Sequence, residues 1–395
     1  MIKVILKKGR SESLKRFHPW VFSGAIAQIQ GSPAEGDIVA IYSSEGEYLA
    51  AGHYQIGSIA VRILSFDADP LAPDFWTISI ARALEVRRAA GLVDNPATNC
   101  FRLVHGEGDG LPGLIIDWYD GVCVLQAHSV GMFRAKLQIS KALQEVFGDA
   151  LKAVYDKSSG TAPFKAGLEL IDGYLYKRED FNQKETTVLE NNNAFIVNWE
   201  EGQKTGFFLD QRDNRALVGY HAQGRNVLNL FCYTGGFSVY ALNAGALNVD
   251  SVDSSARAID LAKRNKANTG KDNFECFCTD AIEHLSKCEA GKYDLIIVDP
   301  PAFAKHRGAL KNALRAYQRL NAAAISRVAP GGLVFTFSCS QVVDKISFAN
   351  TVFSAAAQTG RRVRILDRLC QGADHPVNIY HPEGEYLKGL LLYVE

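Results

Sequence analysis

Apolar and polar residues follow two different patterns along the chain, and the change between them falls near residue 190. From residue 1 to about 68, short apolar segments (VILKK, WVFSGAI, DIVAIYS, YLAAGHYQ, IAVRILSF) are separated by the polar breaks GSPAEGD and SSEGE. Runs of this length bounded by Gly, Pro and Ser predict strands, and their close succession predicts a small antiparallel barrel. After the breaker DADPLAPD, residues 74–92 place apolar side chains at helical spacing, which predicts a helix leading out of the barrel as a connector. FRLVHGE, LIIDWYD, VCVLQAHS and KAVYDK, with a helix near 132–147, then predict a compact α+β unit over 101–180.

Beyond residue 190 the texture changes to strands alternating with helices. NVLNLFC, NVDSVD, FECFCTD, KYDLIIVDPP and LVFTFSC alternate with helical patterns at 236–244, 255–268, 309–328 and 345–358. This alternation predicts an α/β fold with a doubly wound parallel sheet, in which ligands bind beyond the carboxyl ends of the strands. CYTGG, VDSS, CTDA, VDPPAF and FSCS all fall at such ends, so they are expected to face one crevice. The expected domains are 1–70, 71–187 and 188–395.

Composition adds few constraints. At 395 residues the chain can bury several cores, and its eight cysteines are scattered with no CxxC pair to begin a zinc site. Reduced thiols, a cytoplasmic location and no bound metal are the expectation. Nowhere do about 18 uncharged apolar residues run together, so no membrane insertion is expected.

Charge matters locally rather than globally: Lys plus Arg and Asp plus Glu both number 43. Residues 1–20 carry Lys3, Lys7, Lys8, Arg10, Lys15 and Arg16 against Glu12 alone. Residues 305–319 carry Lys305, Arg307, Lys311, Arg315 and Arg319 with no acid, and a third block is Arg361, Arg362, Arg364 and Arg368. Any one block reads equally well as a solvated face, but three together favour contact with a phosphate backbone.

The strand ends carry the candidate chemistry. In LNLFCYTGGFS, Gly235 and Gly236 let the backbone turn sharply and approach a ligand. The motif is not GxGxxG, which leans away from a dinucleotide and toward a ligand without phosphates, such as S-adenosyl-L-methionine. Asp253 lies about 20 residues on, where an acid accepts from ribose hydroxyls, and Asp280 lies one strand further, on the adenine side. In VDPPAF the two prolines stiffen the turn after Asp299, which suits placement of a substrate, and Phe303 suits stacking on a planar base. Cys339, in FTFSCS, is either a small buried hydrophobe or a nucleophile at the mouth of the sheet.

Taken together, KTGFFLDQRDNR, VLNLFCYTGGFS, SVDSS, VDPPAF, TFSCS and the tail ADHPVNIYHPEGEYLKG resemble the ribosomal RNA large subunit methyltransferase I family. The resemblance spans the whole chain. It implies an N-terminal β-barrel PUA domain, a small central α+β domain and a Rossmann-like class I methyltransferase domain. The implied activity is S-adenosyl-L-methionine-dependent formation of 5-methylcytosine in 23S ribosomal RNA. Cys339 matches the position of the nucleophile that adds to cytosine C6, with Asp299 beside it. Gln211, Arg212, Asn229, Phe231, Tyr233, Thr234, Gly235, Asp253, Ser254, Asp280, Ala281, Asp299 and Pro300 are then expected around the cofactor. Pro301, Phe303 and Lys305 are expected near the RNA, with His306 close by. Arg307, Lys311, Arg315 and Arg319 are expected to contact it too, as are Lys7, Lys8, Arg10, Lys15 and Arg16.

Two features depart from related enzymes. Pro301 and Ala302 stand where other RNA cytosine-5 methyltransferases carry a second cysteine, so a one-cysteine mechanism is expected and the acceptor of the C5 proton is open. Asn229 stands where many methyltransferases have an acid. Open alternatives are another RNA methyltransferase on the same scaffold, such as an N7-guanine enzyme needing no thiol, and a non-catalytic RNA-binding assembly factor. The assembly state is open, with a homodimer the candidate.

Overall fold

The computed structural model describes residues 1–163, 167–304 and 306–395. The chain divides into two compact units. One comprises Met1–Val188, Val197–Leu209 and Ala373–Gly384; the other comprises Leu189–Ile196, Asp210–Gly372 and Glu385–Glu395.

The first unit begins with β1 (Ile2–Leu6), α1 (Glu12–Lys15), β2 (Trp20–Phe22), β3 (Ile26–Gln30), β4 (Ile38–Tyr42), β5 (Tyr48–Tyr54) and β6 (Ile59–Ser65). They form one sheet in the order β2-β6-β5-β4-β1-β3, antiparallel except for β1 with β4. Val4, Leu6, Val39, Ile41, Val61 and Ile63, spaced by two along their strands, supply its core. Next come α2 (Phe75–Ala89), β7 (Cys100–His105), β8 (Leu114–Tyr119), β9 (Val122–Ala127), α3 (Val130–Phe147), β10 (Ala153–Asp156) and β11 (Gly173–Lys177), with a second sheet in the order β11-β10-β9-β8-β7. The expected connecting helix is more than a connector: Phe75, Trp76, Ile80, Ala83 and Leu84 of α2 are buried in the same core as Met132 and Ile139 of α3.

After β11 comes a hairpin of β12 (Glu185–Glu190) and β13 (Asn193–Asn198), turning at Asn191 and Asn192, both at positive φ. Only Leu189–Ile196 of this hairpin belongs to the second unit, which continues with α4 (Arg212–Ala222), β14 (Asn226–Leu230), α5 (Gly236–Asn243), β15 (Asn248–Asp253), α6 (Ala256–Ala267), β16 (Phe274–Cys278) and α7 (Ala281–Lys287). It ends with β17 (Tyr293–Val298), α8 (Leu310–Arg327), β18 (Val328–Ser338), α9 (Lys345–Thr359), β19 (Val363–Leu369) and β20 (Lys388–Val394).

These strands form a seven-stranded sheet ordered β16-β15-β14-β17-β18-β20-β19. The first five are parallel, as the alternation predicts, but β20 runs antiparallel to both β18 and β19. Hydrophobic periodicity marks a buried strand without giving its direction, and β20 enters between two earlier strands. Alternate residues point to opposite faces. Leu228, Leu230, Ile296, Val298, Val334 and Leu390 pack with α8 and α9, whereas Val227, Leu295, Ile297, Leu333, Phe335 and Leu391 pack with α4 and α5. The sheet is covered on both sides, so its strand ends are where polar side chains gather. Among the described residues no helix is long and apolar enough to cross a membrane.

Candidate active site

The order of the sheet reverses at β14, from which the chain runs to β15 and β16 on one side and to β17 and β18 on the other. A sheet that reverses in this way opens a crevice beyond the carboxyl ends of its central strands. Register aligns those ends: Leu230 pairs with Val252 and Val298, Asp253 with Cys278, and Val298 with Thr336. Residues 231–235, 253–254, 279–281, 299–304 and 339–340 therefore leave the sheet along one edge.

Backbone strain is concentrated in the turn after β14. Phe231 and Tyr233 hold φ of 58° and 46°, and Gly235 comes next at 77°. Side chains other than Gly rarely adopt this region, and such strain collects at functional sites. Asp253 holds the turn in place. One of its carboxylate oxygens accepts from the Tyr233 N–H (3.0 Å) and the other from the Ser255 N–H (2.9 Å). Asn265 supports it from behind by donating Nδ2–H to the Thr234 carbonyl (2.8 Å). A Cβ added at Gly235 would lie 3.2 Å from the Ala262 Cβ, so glycine suits both the positive φ and the close approach of α6.

Asn229, at 0% exposure, donates Nδ2–H to Ser238 Oγ (2.8 Å), while its Oδ1 is buried with no partner among the described residues. A buried acceptor left over beside the turn fits a ligand's donor. Asp280 N-caps α7, one oxygen accepting from the N–H groups of Ile282 and Glu283; the residue is exposed and Ala281 behind it is buried. Ser254 is exposed. Gln211 and Arg212 are both buried at the start of α4. Gln211 Oε1 accepts from Asn214 Nδ2 (2.6 Å), and Arg212 Nε lies 3.7 Å from Glu190 Oε2.

At the other side of the crevice, Cys339 follows β18 and is half-buried between two fully buried serines. Both serines reach one phenol: Ser338 Oγ–H donates to the Tyr317 hydroxyl (3.0 Å), which lies 3.1 Å from Ser340 Oγ. The Ala304 N–H reaches the same Ser340 Oγ (3.4 Å), tying the turn after Asp299 to the thiol's turn. Burial raises the Tyr317 phenol above its usual range, so it stays a neutral linker. Lys388, the first residue of β20 and 6% exposed, donates from Nζ to the carbonyls of Ser340 and Val343, both at 2.6 Å. Asp299 is half-buried, Pro300 buried and Pro301 exposed. Phe303 rests on Tyr317, with ring centroids 4.7 Å apart.

Motif reading does not single out Tyr317 or Lys388. A lone lysine opening the apolar run LKGLLLYV is the available signal, since a charge in a buried strand needs a partner.

Of the basic residues, Arg307, Lys311, Arg315 and Arg319 are exposed, and the last three share one face of α8 by their four-residue spacing. The first three border an open groove of about 650 Å³ with Ser347, Asn350 and Ser354 of α9. Lys305 lies outside the described residues. Lys7, Lys8, Arg10, Lys15 and Arg16 are exposed in the first unit, where Lys7 donates to the Gly24 carbonyl and Lys15 pairs with Glu47. In the third block, Arg361 donates to the Ile325, Val328 and Glu395 carbonyls and Arg364 pairs with Glu395. Those two arginines are engaged at Glu395.

A Rossmann-like sheet with a strained, Asp-held turn after its first parallel strand and an Asp-Pro-Pro turn after its fourth defines a class I methyltransferase fold. Residues 175–379 match the family of S-adenosylmethionine-dependent methyltransferases, and residues 4–66 match PUA-like domains. The chain is 38% identical to ribosomal RNA large subunit methyltransferase I of Aeromonas hydrophila over 98% of both chains. It is 40% identical to the protein of that name from Pseudoalteromonas translucida over 99% of both. It belongs to the ribosomal RNA large subunit methyltransferase I family. In fold it is similar to a solved protein from Streptococcus mutans described as a SAM-dependent methyltransferase (TM-score 0.83, 22% identity, 100% of both chains). S-adenosylmethionine is the cofactor of this family's methyltransferase domain, and the unpaired Asn229 oxygen and the turn held by Asp253 fit it.

Proposed function

We propose that the protein methylates C5 of a cytosine in 23S ribosomal RNA, in the cytoplasm, through a transient bond between Cys339 and the base. The observation that carries this reading is the half-buried Cys339 thiol at the carboxyl end of β18, in a turn tied by Ser340 to the one after Asp299. Cytosine C5 is a weak nucleophile. Addition of the Cys339 thiolate to C6 moves the C5=C6 electron pair onto C5, which can then take up a methyl group. When bound, S-adenosylmethionine supplies that methyl on a sulfonium. Loss of the C5 proton to a base re-forms C5=C6 and breaks the Sγ–C6 bond, returning the thiolate. Asp299 accepts from the cytosine amino group in this reading, and the prolines after it fix the direction in which the base enters. The thiol-free alternative, an N7-guanine enzyme, gives Cys339 no task.

Asn229, Phe231, Tyr233, Thr234 and Gly235 would hold the cofactor with Asp253, Ser254, Asp280 and Ala281; Gln211, Arg212, Asp299 and Pro300 close the pocket. Asp253→Ala should weaken S-adenosylmethionine binding by about 1.5–3 kcal/mol, the range for hydrogen bonds to a charged group. Calorimetric titration reads this directly, and wild-type affinity in the variant would remove Asp253 from the pocket.

The exposed cations of α8 and of the N-terminal sheet would grip phosphate while the crevice takes one extruded base. Reversing Lys311, Arg315 and Arg319 to Glu should lower RNA affinity at least about tenfold and flatten its dependence on salt, since each lost phosphate contact removes just under one unit of slope. Cofactor affinity should not change. Equal RNA affinity in the triple variant would put the contact surface elsewhere. The division at 1–70, 71–187 and 188–395 belongs to the same proposal, with RNA docking in the first part and chemistry in the last. Sedimentation tests the homodimer.

A further inference from the structure

Lys388 carries a charge with unusual surroundings. Its Nζ is buried, its two bonds go to the Ser340 and Val343 carbonyls at 2.6 Å, and among the described residues no carboxylate lies within ion-pair distance. A buried ammonium held only by neutral carbonyls is expensive to keep unless an anion lies near. The segment it bonds, residues 340–343, begins immediately after Cys339. Lys388 also pairs in register with Ser338, the residue immediately before that cysteine, so both side chains stand on the same face of the sheet.

We propose that Lys388 is the counter-charge of the Cys339 thiolate, a positioning residue that fixes the 339–343 turn and holds the sulfur in its anionic form before RNA arrives. The thiol proton passes to water or, where Lys388 starts neutral, to its Nζ. Either way S–H becomes S⁻ beside an ammonium, and no other reactant is needed. The groups facing Lys388 agree with this pairing. Burial lowers its pKa to about 8; Cys339 is the strongest pull in the opposite direction, ahead of Asp344 and Glu385, and Lys345 adds to the lowering. Lys345 is itself engaged by Glu385 (2.5 Å), and Asp344 accepts from the N–H and hydroxyl of Ser347 (both 2.7 Å), so neither carboxylate is committed to Lys388.

This inference deepens the covalent reading of Cys339, and its test is independent of turnover. The rate of iodoacetamide alkylation at Cys339 is followed by peptide mass spectrometry between pH 6 and 10 on the full chain without RNA, with the exposed Cys278 as internal comparison. Replacing Lys388 with methionine, which removes the charge at similar volume, should move the Cys339 midpoint up by about one pH unit, roughly a tenfold slower reaction at pH 7. Lys388→Arg should keep the midpoint low. An unchanged midpoint in a folded Lys388→Met protein overturns the pairing. If that variant does not fold, the wild-type profile decides: a Cys339 midpoint at or above that of Cys278 also overturns it. Loss of methylation in Cys339→Ala without any shift from Lys388→Met would leave the covalent reading intact and reject the pair. A clear shift alongside surviving methylation in Cys339→Ala would support the pair and reject the covalent reading.

Discussion

Methyl transfer by a Cys339→Ala variant should fall by roughly ten-thousand-fold or more, the scale of loss when a covalent nucleophile is removed. The protein should remain folded, because Cys339 is half-buried and contributes little to the core packed by Phe335 and Phe337. Cofactor binding should also survive, since the turn after β14 is held by Asp253 and Asn265 rather than by anything at β18. A second readout separates nucleophile from bystander. RNA carrying 5-fluorocytosine has no C5 proton to lose, so the wild-type enzyme should stall with the base still bonded to sulfur. That adduct should survive denaturing electrophoresis and be absent from the variant. Methylation by Cys339→Ala at a rate comparable to wild type would end the covalent reading and favour chemistry that needs no thiol.

The strand ends are legible in the sequence because of how parallel sheets are built. VLNLF, DLIIV and LVFTF are buried on both faces, so each reads as an apolar run, and the polar residue that ends it stands out. Asp299 and Cys339 can be placed at one edge of the sheet for that reason, and Asp253, which closes the more polar NVDSVD, by the alternation of strands with helices. The hairpin at 185–198 carries its own signal, which a search for long apolar runs passes over. TTVLE and NAFIVN flank two asparagines at positive φ, a turn chemistry that favours tight hairpins. The direction of β20 is not legible, because register and polarity depend on which strand edge is vacant when the chain returns. The buried charges are not legible as pairs either. Lys388 answers to a turn 45 residues earlier, and Glu190 to an arginine 25 residues later, separations at which composition shows only a charge in the wrong place.

Glu190→Gln should have the largest effect on stability. The Glu190 side chain has 0% exposure and is the hub of a network joining β12 to α4 and α5. Its Oε1 accepts from Arg215 Nε (2.8 Å) and the Tyr240 hydroxyl (3.0 Å), its Oε2 accepts from Arg215 Nη2 (2.7 Å), and Arg212 Nε approaches to 3.7 Å. The bidentate geometry with Arg215 offsets much of the desolvation of both groups. Replacing the carboxylate with an amide keeps the volume but leaves two buried guanidinium groups facing a neutral oxygen and an extra N–H. Breaking one side of a buried pair in this way costs about 3–5 kcal/mol. In a unit of this size that corresponds to a fall of roughly 10 °C in the unfolding temperature, measurable by calorimetry. The loss should extend to the proposed cofactor pocket, in which Gln211 and Arg212 are placed, because they begin the helix that Glu190 anchors through Arg215. A Glu190→Gln, Arg215→Met double variant should recover part of the stability, since the better-paired charge is then removed along with its partner. A single variant within about 1 kcal/mol of wild type would mean that water or another carboxylate satisfies the arginines, and that α4 is held by its apolar face alone.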